Sequence, residues 1–360
     1  MSWPSCDTLA SDSPGGVSFF AATVPGLGPL LRDEVAAHPA LVPDHEVGFD
    51  GRADLVFFRV RRGARLQVDG LRLAEDVFVA ISGARGDSVG RVAASLVTRA
   101  GLERALSVRA RYMRYLSPSM TFRVITRVMD ESRFKRTELR SAVERVISAD
   151  RPRWRIADPA DLEVWAVEHR GARFVSGLRL SDKRLRHHGE GRASERHGAL
   201  RPVAAAAMVR LAGAPPGRLL DPCCGSGTIV QEALAAGWDA QGSDLDEEAV
   251  SVARANVADA VIQRADALSL PHPDGAFDAV VTNLPFGRQF RPDADRPGGS
   301  SAGWVRSALR EAARVTRPGG RVVVLVPPPV PGHTGGLVPT GSYPIRLLGV
   351  PARIWVFDRS

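Results

Sequence analysis

Residues 217–228 read Gly-Arg-Leu-Leu-Asp-Pro-Cys-Cys-Gly-Ser-Gly-Thr, and this stretch decides the fold of the second half of the chain. The apolar pair before Asp221 predicts the end of a buried strand, and the residues after Gly227 predict a helix. Strand and helix patterns then alternate as far as Arg-Val-Val-Val-Leu-Val-Pro at 321–327. This alternation is typical of a parallel, doubly wound α/β sheet, in which ligands bind beyond the carboxyl ends of the strands.

The loop after Asp221 contains two glycines that can bring the backbone close to a ligand. Gly225 and Gly227 lack the Cβ that would hold a bound molecule at a distance. The third glycine of a dinucleotide-binding fingerprint is absent, as is the Gly-Lys-Ser/Thr of a phosphate-binding loop. The loop therefore argues against a nicotinamide oxidoreductase and excludes a P-loop.

Acidic side chains end the next two predicted strands. Asp244 comes 17 positions after Gly227, where a carboxylate can accept hydrogen bonds from both hydroxyls of a ribose. Asp266 ends the third strand and is placed to meet an adenine edge, and Asp221 begins the loop that would face the amino acid part of a cofactor. Any one of these acids could be a helix cap or a turn residue. Their order on successive strand ends is what indicates a binding site.

The fourth strand ends in Asn-Leu-Pro-Phe-Gly at 283–287. Asparagine and proline also mark ordinary turns, and these residues alone leave that alternative open. Together with the preceding loops, however, the region resembles the class I S-adenosylmethionine-dependent methyltransferases that carry an Asn/Asp-Pro-Pro-aromatic motif. The Asn-Leu-Pro-Phe-Gly form is similar to the variant in THUMP-containing guanine-N2 RNA methyltransferases.

The resemblance implies catalytic roles for Asn283, Pro285 and Phe286. The Asn283 side-chain oxygen and the next backbone carbonyl would accept hydrogen bonds from an exocyclic amine, and Phe286 would stack on the flat substrate. Such an amine needs orientation more than a strong base. Leu284 stands where the common motif has its first proline, and the backbone carbonyl survives that change. The implied cofactor is S-adenosyl-L-methionine, bound by Asp221, Cys223, Gly225, Ser226, Gly227, Asp244, Leu245, Asp266, Ala267 and Asn283.

The net charge of +8 is concentrated in the middle of the chain. The net charges are −3 for residues 1–98, +10 for 99–200 and +1 for 201–360. Lys135 and Lys183 are the only lysines, so nearly all of the positive charge comes from arginine. Arginine is partly a compositional preference of this chain, but preference does not explain why one third holds the surplus. Because guanidinium groups match phosphate geometry, the basic third indicates a polyanionic partner.

The basic third also resembles a THUMP domain, through Thr-Phe-Arg-Val-Ile-Thr-Arg-Val at 121–128 and the helical pattern at 134–147. The resemblance implies RNA binding, although any single arginine could equally be a solvated surface residue. The candidate phosphate contacts are Arg109, Arg111, Arg114, Arg123, Arg127 and Arg136.

The residues before 70 resemble the small ferredoxin-like unit that precedes THUMP domains, so both upstream units are expected to be α+β. Local patterns predict a strand at 64–70 and a helix over 88–112. The predicted segments are a disordered N-terminus at 1–16, the ferredoxin-like unit at 17–69, the THUMP-like domain at 70–167, a linker at 168–200, and the Rossmann-like methyltransferase domain at 201–360.

The sequence thus predicts an enzyme that methylates the N2 amine of a guanosine in structured RNA, with tRNA as the first candidate. Ribosomal RNA guanine, adenine N6, a protein glutamine and a non-catalytic RNA-binding protein with a vestigial cofactor site remain alternatives. We find no secretory leader pattern and no apolar run near the roughly 18 residues that span a bilayer. The three cysteines form no disulfide framework, and without Cys/His ligand spacing we expect no metal. We expect the protein to be cytoplasmic and monomeric.

Overall fold

The structure is a computed structural model that divides the chain into two compact units, Met1–Arg186 and His187–Ser360. It describes residues 17–49, 53–112, 119–129, 132–169, 171–182, 200–285, 301–327, 335–347 and 350–360. The predicted disordered segment at 1–16 and residues 286–300 lie outside the described residues.

The first unit is built on one eight-stranded sheet with the order β2-β3-β1-β4-β8-β7-β5-β6. Its strands are β1 Ser18–Thr23, β2 Leu41–Phe49, β3 Ala53–Val60, β4 Asp76–Arg85, β5 Thr121–Arg127, β6 Arg155–Ile156, β7 Leu162–Glu168 and β8 Arg173–Arg179. Its helices are α1 Gly28–Ala37, α2 Val89–Leu96, α3 Arg99–Tyr112 and α4 Arg136–Asp150, with a short 3₁₀ turn at Val68–Gly70.

Strand β4 joins the two predicted upstream units. It pairs antiparallel with β1 on one side and with β8 on the other. Buried aromatic rings follow the same path, because Phe20 lies 4.7 Å from Phe78 and Phe78 lies 5.1 Å from Trp165, measured between ring centroids. A Cβ at Gly177 would come within 2.5 Å of the Phe20 ring, so glycine is needed where the ladder crosses β8. The boundary predicted at residue 70 therefore runs through a continuous sheet.

Two local predictions in the first unit are wrong for identifiable reasons. Residues 64–67 form no regular element and Val68–Gly70 form a 3₁₀ helix, in which the Gly70 N–H donates to the Gln67 carbonyl at 3.0 Å. This local hydrogen bond takes the place of one in a strand ladder. Just beyond, the Glu34 carboxylate accepts hydrogen bonds from the N–H groups of Arg72 and Leu73. The helix predicted over 88–112 breaks after Leu96, where the Thr98 hydroxyl accepts from the Gly101 N–H and starts a second helix.

The predicted linker at 168–200 begins too early. Strand β8, Arg173–Arg179, lies inside this range and pairs with both β4 and β7. Strands β7 and β8 form an antiparallel hairpin, which places this part of the predicted linker in the sheet. Residues 183–199 lie outside the described residues.

The second unit is a seven-stranded, mostly parallel sheet with the order β11-β10-β9-β12-β13-β15-β14. The strands are β9 Arg218–Asp221, β10 Asp239–Asp244, β11 Val261–Arg264, β12 Phe277–Asn283, β13 Thr316–Val326, β14 Leu337–Leu347 and β15 Val350–Arg359. The helices are α5 Pro202–Leu211, α6 Thr228–Ala236, α7 Glu247–Asn256 and α8 Ser301–Val315.

Strands β9 to β13 run parallel, and β15 is antiparallel to both β13 and β14. The predicted doubly wound sheet is thereby confirmed, and β14 and β15 add an antiparallel hairpin at its edge. Chain order reverses between β9 and β12, and such a switch point opens a crevice outside the carboxyl ends of the strands. Leu220, Val280 and Val324 pack with α8 residues such as Leu309 in the core beneath that crevice.

Candidate active site

Four chemistry-bearing loops meet at the carboxyl edge of the second sheet. Asp221 ends β9 and is in register with Gly242, two residues before Asp244 at the end of β10. Asp266 follows the end of β11 by two residues, and Asn283 is the last residue of β12. The structure therefore brings together the four strand-end residues that the sequence singles out.

The loop from β9 to α6 forms an open backbone cradle. Gly225 has φ 53° and Gly227 has φ 84°, both in the left-handed region that favours glycine. A Cβ at Gly225 would have no atom within 4 Å, so open space adjoins this backbone, whereas one at Gly227 would meet Val257 at 2.9 Å. A ligand can therefore approach at Gly225, and Gly227 is required for packing.

A residue that the sequence did not flag holds this cradle. Asn256, the last residue of α7, donates from Nδ2 to the backbone carbonyl of Ser226 at 2.9 Å. Ser226 itself is buried, and the Gly227 N–H donates to the Cys224 carbonyl at 2.7 Å. In a sequence, an asparagine near a helix end usually indicates only where the helix stops. It does not reveal a hydrogen bond to a residue 30 positions away.

Asp221 is a carboxyl group held out of water. It is only 1% exposed, and its Oδ1 accepts from the Cys223 N–H at 3.1 Å. Burial raises the pKa of Asp221 to about 7, and the nearby charge of Asp244 adds to the increase. The Thr282 hydroxyl and the Cys223 N–H lower this pKa but do not cancel the effect. A cationic ligand group beside Asp221 would favour the ionised carboxylate.

Asp244 links the first two loops while keeping capacity for a ligand. Its Oδ2 accepts from the Gly225 N–H at 2.9 Å and its Oδ1 accepts from the Asp246 N–H at 3.1 Å. A carboxylate has about four lone-pair sites, so two remain on this half-buried group for hydroxyl donors. Leu245 beside it leaves 42% of its surface exposed, as an apolar platform at the same edge.

The third loop is shaped by its own backbone contacts. Asp266 Oδ1 accepts from the Leu268 N–H at 3.0 Å, and the Asp266 carbonyl accepts from the Ser269 N–H at 2.9 Å. Ala267 is buried between them. The turn therefore holds Asp266 at the edge beside Asp244, whose carbonyl accepts from the Ala265 N–H at 3.0 Å.

The side-chain oxygen of Asn283 is a hydrogen-bond acceptor without a donor among the described residues. This oxygen, Oδ1, is buried. A buried polar atom without a partner is costly, so such an atom in a native fold points to a ligand donor. Pro285 follows in a half-buried position. Phe286, the predicted stacking residue, lies outside the described residues.

The two cysteines of the cradle are not reactive thiols. Burial raises the pKa of Cys223 and that of Cys224, and neighbouring carboxylates, Asp221 first among them, raise both further. Neutral thiols are poor nucleophiles and poor metal ligands. Among the described residues, no group of three or more His, Cys, Asp or Glu side chains is arranged to hold a metal ion.

The site fits S-adenosyl-L-methionine. A glycine cradle opens beside Asp221, whose carboxylate can balance a cationic amino acid part. Asp244 has spare acceptor capacity for ribose hydroxyls, with apolar Leu245 next to it for a flat base. Phosphate groups would find three carboxylates here, so a nucleotide di- or triphosphate does not fit.

Comparison with known proteins agrees with this geometry. The UPF0020 family model, described as an RMKL-like methyltransferase domain, matches residues 190–328. The tRNA (guanine(6)-N2)-methyltransferase of Thermus thermophilus is 32% identical over 322 residues, covering 85% of this chain and 88% of that protein. The chain belongs to the family of tRNA (guanine-N2-)-methyltransferases.

Two further relatives show how far the likeness extends. The match to the crystal structure of TrmN from Thermus thermophilus covers 96% of this chain and 100% of that one, with a TM-score of 0.71 and 24% identity, and so shows that the two share a fold. A demethylmenaquinone methyltransferase from the same organism is 40% identical over only 129 residues, 34% of this chain and 53% of that protein. That partial match reflects the methyltransferase class and not the whole enzyme.

Two of the predicted phosphate-binding arginines have partners inside this family member. Arg109 is 8% exposed and donates from Nη2 to the Asp161 carbonyl at 2.6 Å. Arg123 forms an ion pair with Asp158 at 2.6 Å and another with Glu163. Arg109 is thus bound inside the first unit, and the charge of Arg123 is balanced by two carboxylates. Their contacts with RNA stay predictions.

The other predicted arginines have different surroundings. Arg127 lies over the Trp165 ring, with its Cζ 4.7 Å from the ring centroid. Arg111 and Arg136 are exposed, and Arg114 lies outside the described residues. The RNA contacts of Arg111 and Arg136 also stay predictions.

Proposed function

We propose that the protein transfers a methyl group from S-adenosyl-L-methionine to the exocyclic N2 amine of a guanosine in tRNA. The observation that carries the proposal is the buried, unpartnered Oδ1 of Asn283 at the carboxyl end of β12, at the same sheet edge as the cofactor cradle. An exocyclic amine is a donor that this oxygen can accept. The family relationship over most of the chain supports guanine as the base.

The chain's own residues perform binding and orientation. When bound, S-adenosyl-L-methionine supplies an electrophilic methyl group on a sulfonium. Asp221 balances positive charge in the dry cradle, and Asp244 accepts hydroxyl hydrogen bonds. Asn283 Oδ1 accepts from the substrate amine, which orients its lone pair and keeps it from delocalising into the ring. Orientation of this kind can account for several kcal/mol of a reaction barrier.

We further propose guanosine 6 of tRNA as the first position to test. The support is that the Thermus relative, which is named for guanine 6, is similar along nearly its whole length. No helix among the described residues is long and apolar enough to cross a membrane. We propose that the enzyme acts in the cytoplasm as a monomer.

The deciding experiment is methylation of defined transcripts. Purified protein would be incubated with S-adenosyl-L-methionine and a tRNA transcript carrying guanosine at position 6, and the nucleosides analysed by mass spectrometry. We expect N2-methylguanosine, and none from the same transcript with adenosine at that position. N2-methylguanosine in both transcripts would move the target elsewhere in tRNA. Methylated adenine, or product only with ribosomal RNA, would contradict the proposed substrate.

A basic surface at one end of the first sheet is the proposed RNA contact. Lys135, the N-cap residue, and Arg136, the first residue of α4, have exposed side chains, and neither forms an ion pair with a described carboxylate. Phe134 beside them stacks on Phe174 at 5.5 Å, which brings Arg173 of β8 to the same end of the sheet. Phosphates of a structured RNA suit such a surface because its recognition depends on shape and backbone.

Replacing Arg136 by glutamine is expected to weaken tRNA binding and to reduce the slope of log affinity against log salt by about 1, as loss of one phosphate contact does. Filter binding at several salt concentrations measures both. Arg153→Gln is the matched control, because the two exposed arginines lie at opposite ends of β5. Arg153 is near β6, which pairs with the start of β5, whereas the Arg136 carbonyl accepts from Thr126 near the end of β5. Equal effects of the two variants would refute a specific contact at Arg136.

A further inference from the structure

Leu284, directly after Asn283, forms both a backbone hydrogen bond to the sheet and side-chain contacts in the core. A residue that only belonged to a turn would need neither. The Leu284 N–H donates to the carbonyl of Leu325 on β13 at 3.2 Å, which extends the β12–β13 pairing beyond Asn283 and its register partner Leu325. Its side chain is 2% exposed and belongs to the core cluster that includes Trp304 and Val305 of α8. Both the backbone and the side chain of Leu284 are therefore fixed.

A proline could make neither contact in the same form. Proline has no N–H, so the donor to the fully buried Leu325 would be lost. Its short ring would also leave unfilled part of the space that the Leu284 side chain occupies in this core cluster, and a buried cavity is destabilising. The proline of the common motif fixes the turn through its own restricted φ, whereas this chain fixes the turn through contacts with β13 and α8.

We propose that Leu284 is a positioning residue for Asn283: its N–H bond to Leu325 and its packing against α8 hold the amide oxygen where the substrate amine must meet it. This inference rests on the proposed function, because it assigns Asn283 the role of orienting that amine. A displacement of about 1 Å at a reacting centre can cost about 100-fold in rate. The turn therefore needs a firm anchor, and Leu284 supplies it.

Three substitutions separate the two contacts. Leu284→Pro removes the N–H and changes the packing, Leu284→Ala keeps the N–H and shortens the side chain, and Leu284→Met keeps both the N–H and the approximate volume. We expect kcat to fall by about 10- to 100-fold in the proline variant and by less in the alanine variant, with the methionine variant near wild type. The KM for tRNA and the affinity for S-adenosyl-L-methionine should change little in all three.

A proline variant with wild-type kcat would overturn the proposal, as would equal losses in kcat and cofactor affinity, which indicate general damage to the fold. Amide hydrogen exchange of the wild-type protein gives a test without substrate. The Leu284 amide should exchange as slowly as those of β12, and fast exchange would show that the bond to Leu325 is absent. If wild-type protein fails to methylate tRNA, the proposed function fails, but slow exchange would still establish the anchor; if the wild type is active and the proline variant equals it, only the anchor fails.

Discussion

Replacing Asn283 by alanine is expected to lower the rate of methyl transfer by about 100- to 1000-fold, the loss typical of removing one preorganised polar group from a reaction centre. The oxygen proposed to orient the amine would be gone, while the cradle at Asp221, Gly225 and Asp244 would remain. Cofactor affinity should therefore change far less than kcat. Single-turnover kinetics with a tRNA transcript and calorimetric titration of S-adenosyl-L-methionine measure the two quantities separately.

Gln263→Ala provides the matched control for Asn283→Ala. Gln263 is also half-buried and also carries an amide, but it lies on β11, where its Nε2 is 3.0 Å from the His272 ring. We expect this variant to keep a rate near that of the wild type. An Asn283→Ala protein that methylates tRNA at the wild-type rate would remove Asn283 from the mechanism, whatever the control shows.

Without cofactor, the Asp221→Asn protein is expected to be more stable than the wild type at pH 8. It is also expected to bind S-adenosyl-L-methionine poorly. Burial raises the pKa of Asp221 from 3.8 in the unfolded chain to about 7 in the folded one. The stabilisation by this group is thus complete below about pH 4 and is lost as the pH rises through about 7. The loss corresponds to about 4 kcal/mol, and asparagine, which stays neutral, does not incur it.

The same substitution removes the charge that balances a cationic ligand. Charged hydrogen bonds contribute about 1.5–3 kcal/mol, so we expect S-adenosyl-L-methionine affinity to fall by about 10- to 100-fold. Wild-type affinity should also weaken below about pH 7, as Asp221 takes up a proton, whereas the variant's affinity should be flat across that range. Urea denaturation and calorimetry at pH 5 and pH 8 measure stability and binding.

Asp278→Asn is the control with the opposite sign. Asp278 accepts from the Arg218 N–H and pairs with Arg317, and these contacts lower its pKa. Its stabilisation is therefore present above the ordinary pKa and lost in acid, so its asparagine variant should be less stable at pH 8. If Asp221→Asn also lost stability at pH 8, burial of the ionised Asp221 carboxylate would not be destabilising the folded protein.

The sequence predicted which residues meet at the sheet edge wherever a strand end carried the signal. Asp221, Asp244, Asp266 and Asn283 were recognisable because a doubly wound sheet collects the carboxyl ends of its strands at one edge. The order of strands and helices in the second unit followed from their alternation. Periodicity and topology place these residues at one edge, whereas the role of Asn283 came from the resemblance to a known family.

What the sequence could not predict depends on contacts between distant residues. Asn256 reaches the Ser226 carbonyl across 30 positions, and Glu34 reaches Arg72 across 38 positions. Arg109 carries a charge that usually marks a surface, yet it lies against the Asp161 carbonyl. No local pattern records these pairings, because they form only when separate elements pack together.

The pairing of β4 with both β1 and β8 has a consequence for how the first unit was assembled and how it can be dissected. Cutting the chain near residue 70 would strip β1 from β4 and leave a long apolar edge with unpaired amides, which invites aggregation. The ferredoxin-like and THUMP-like segments should consequently melt in one cooperative step and should not survive as separate fragments. The division near Arg186, by contrast, falls between the two sheets and separates no paired strands of either one. In evolutionary terms, the two upstream segments would be inherited together as one module, while the methyltransferase unit could be exchanged by itself.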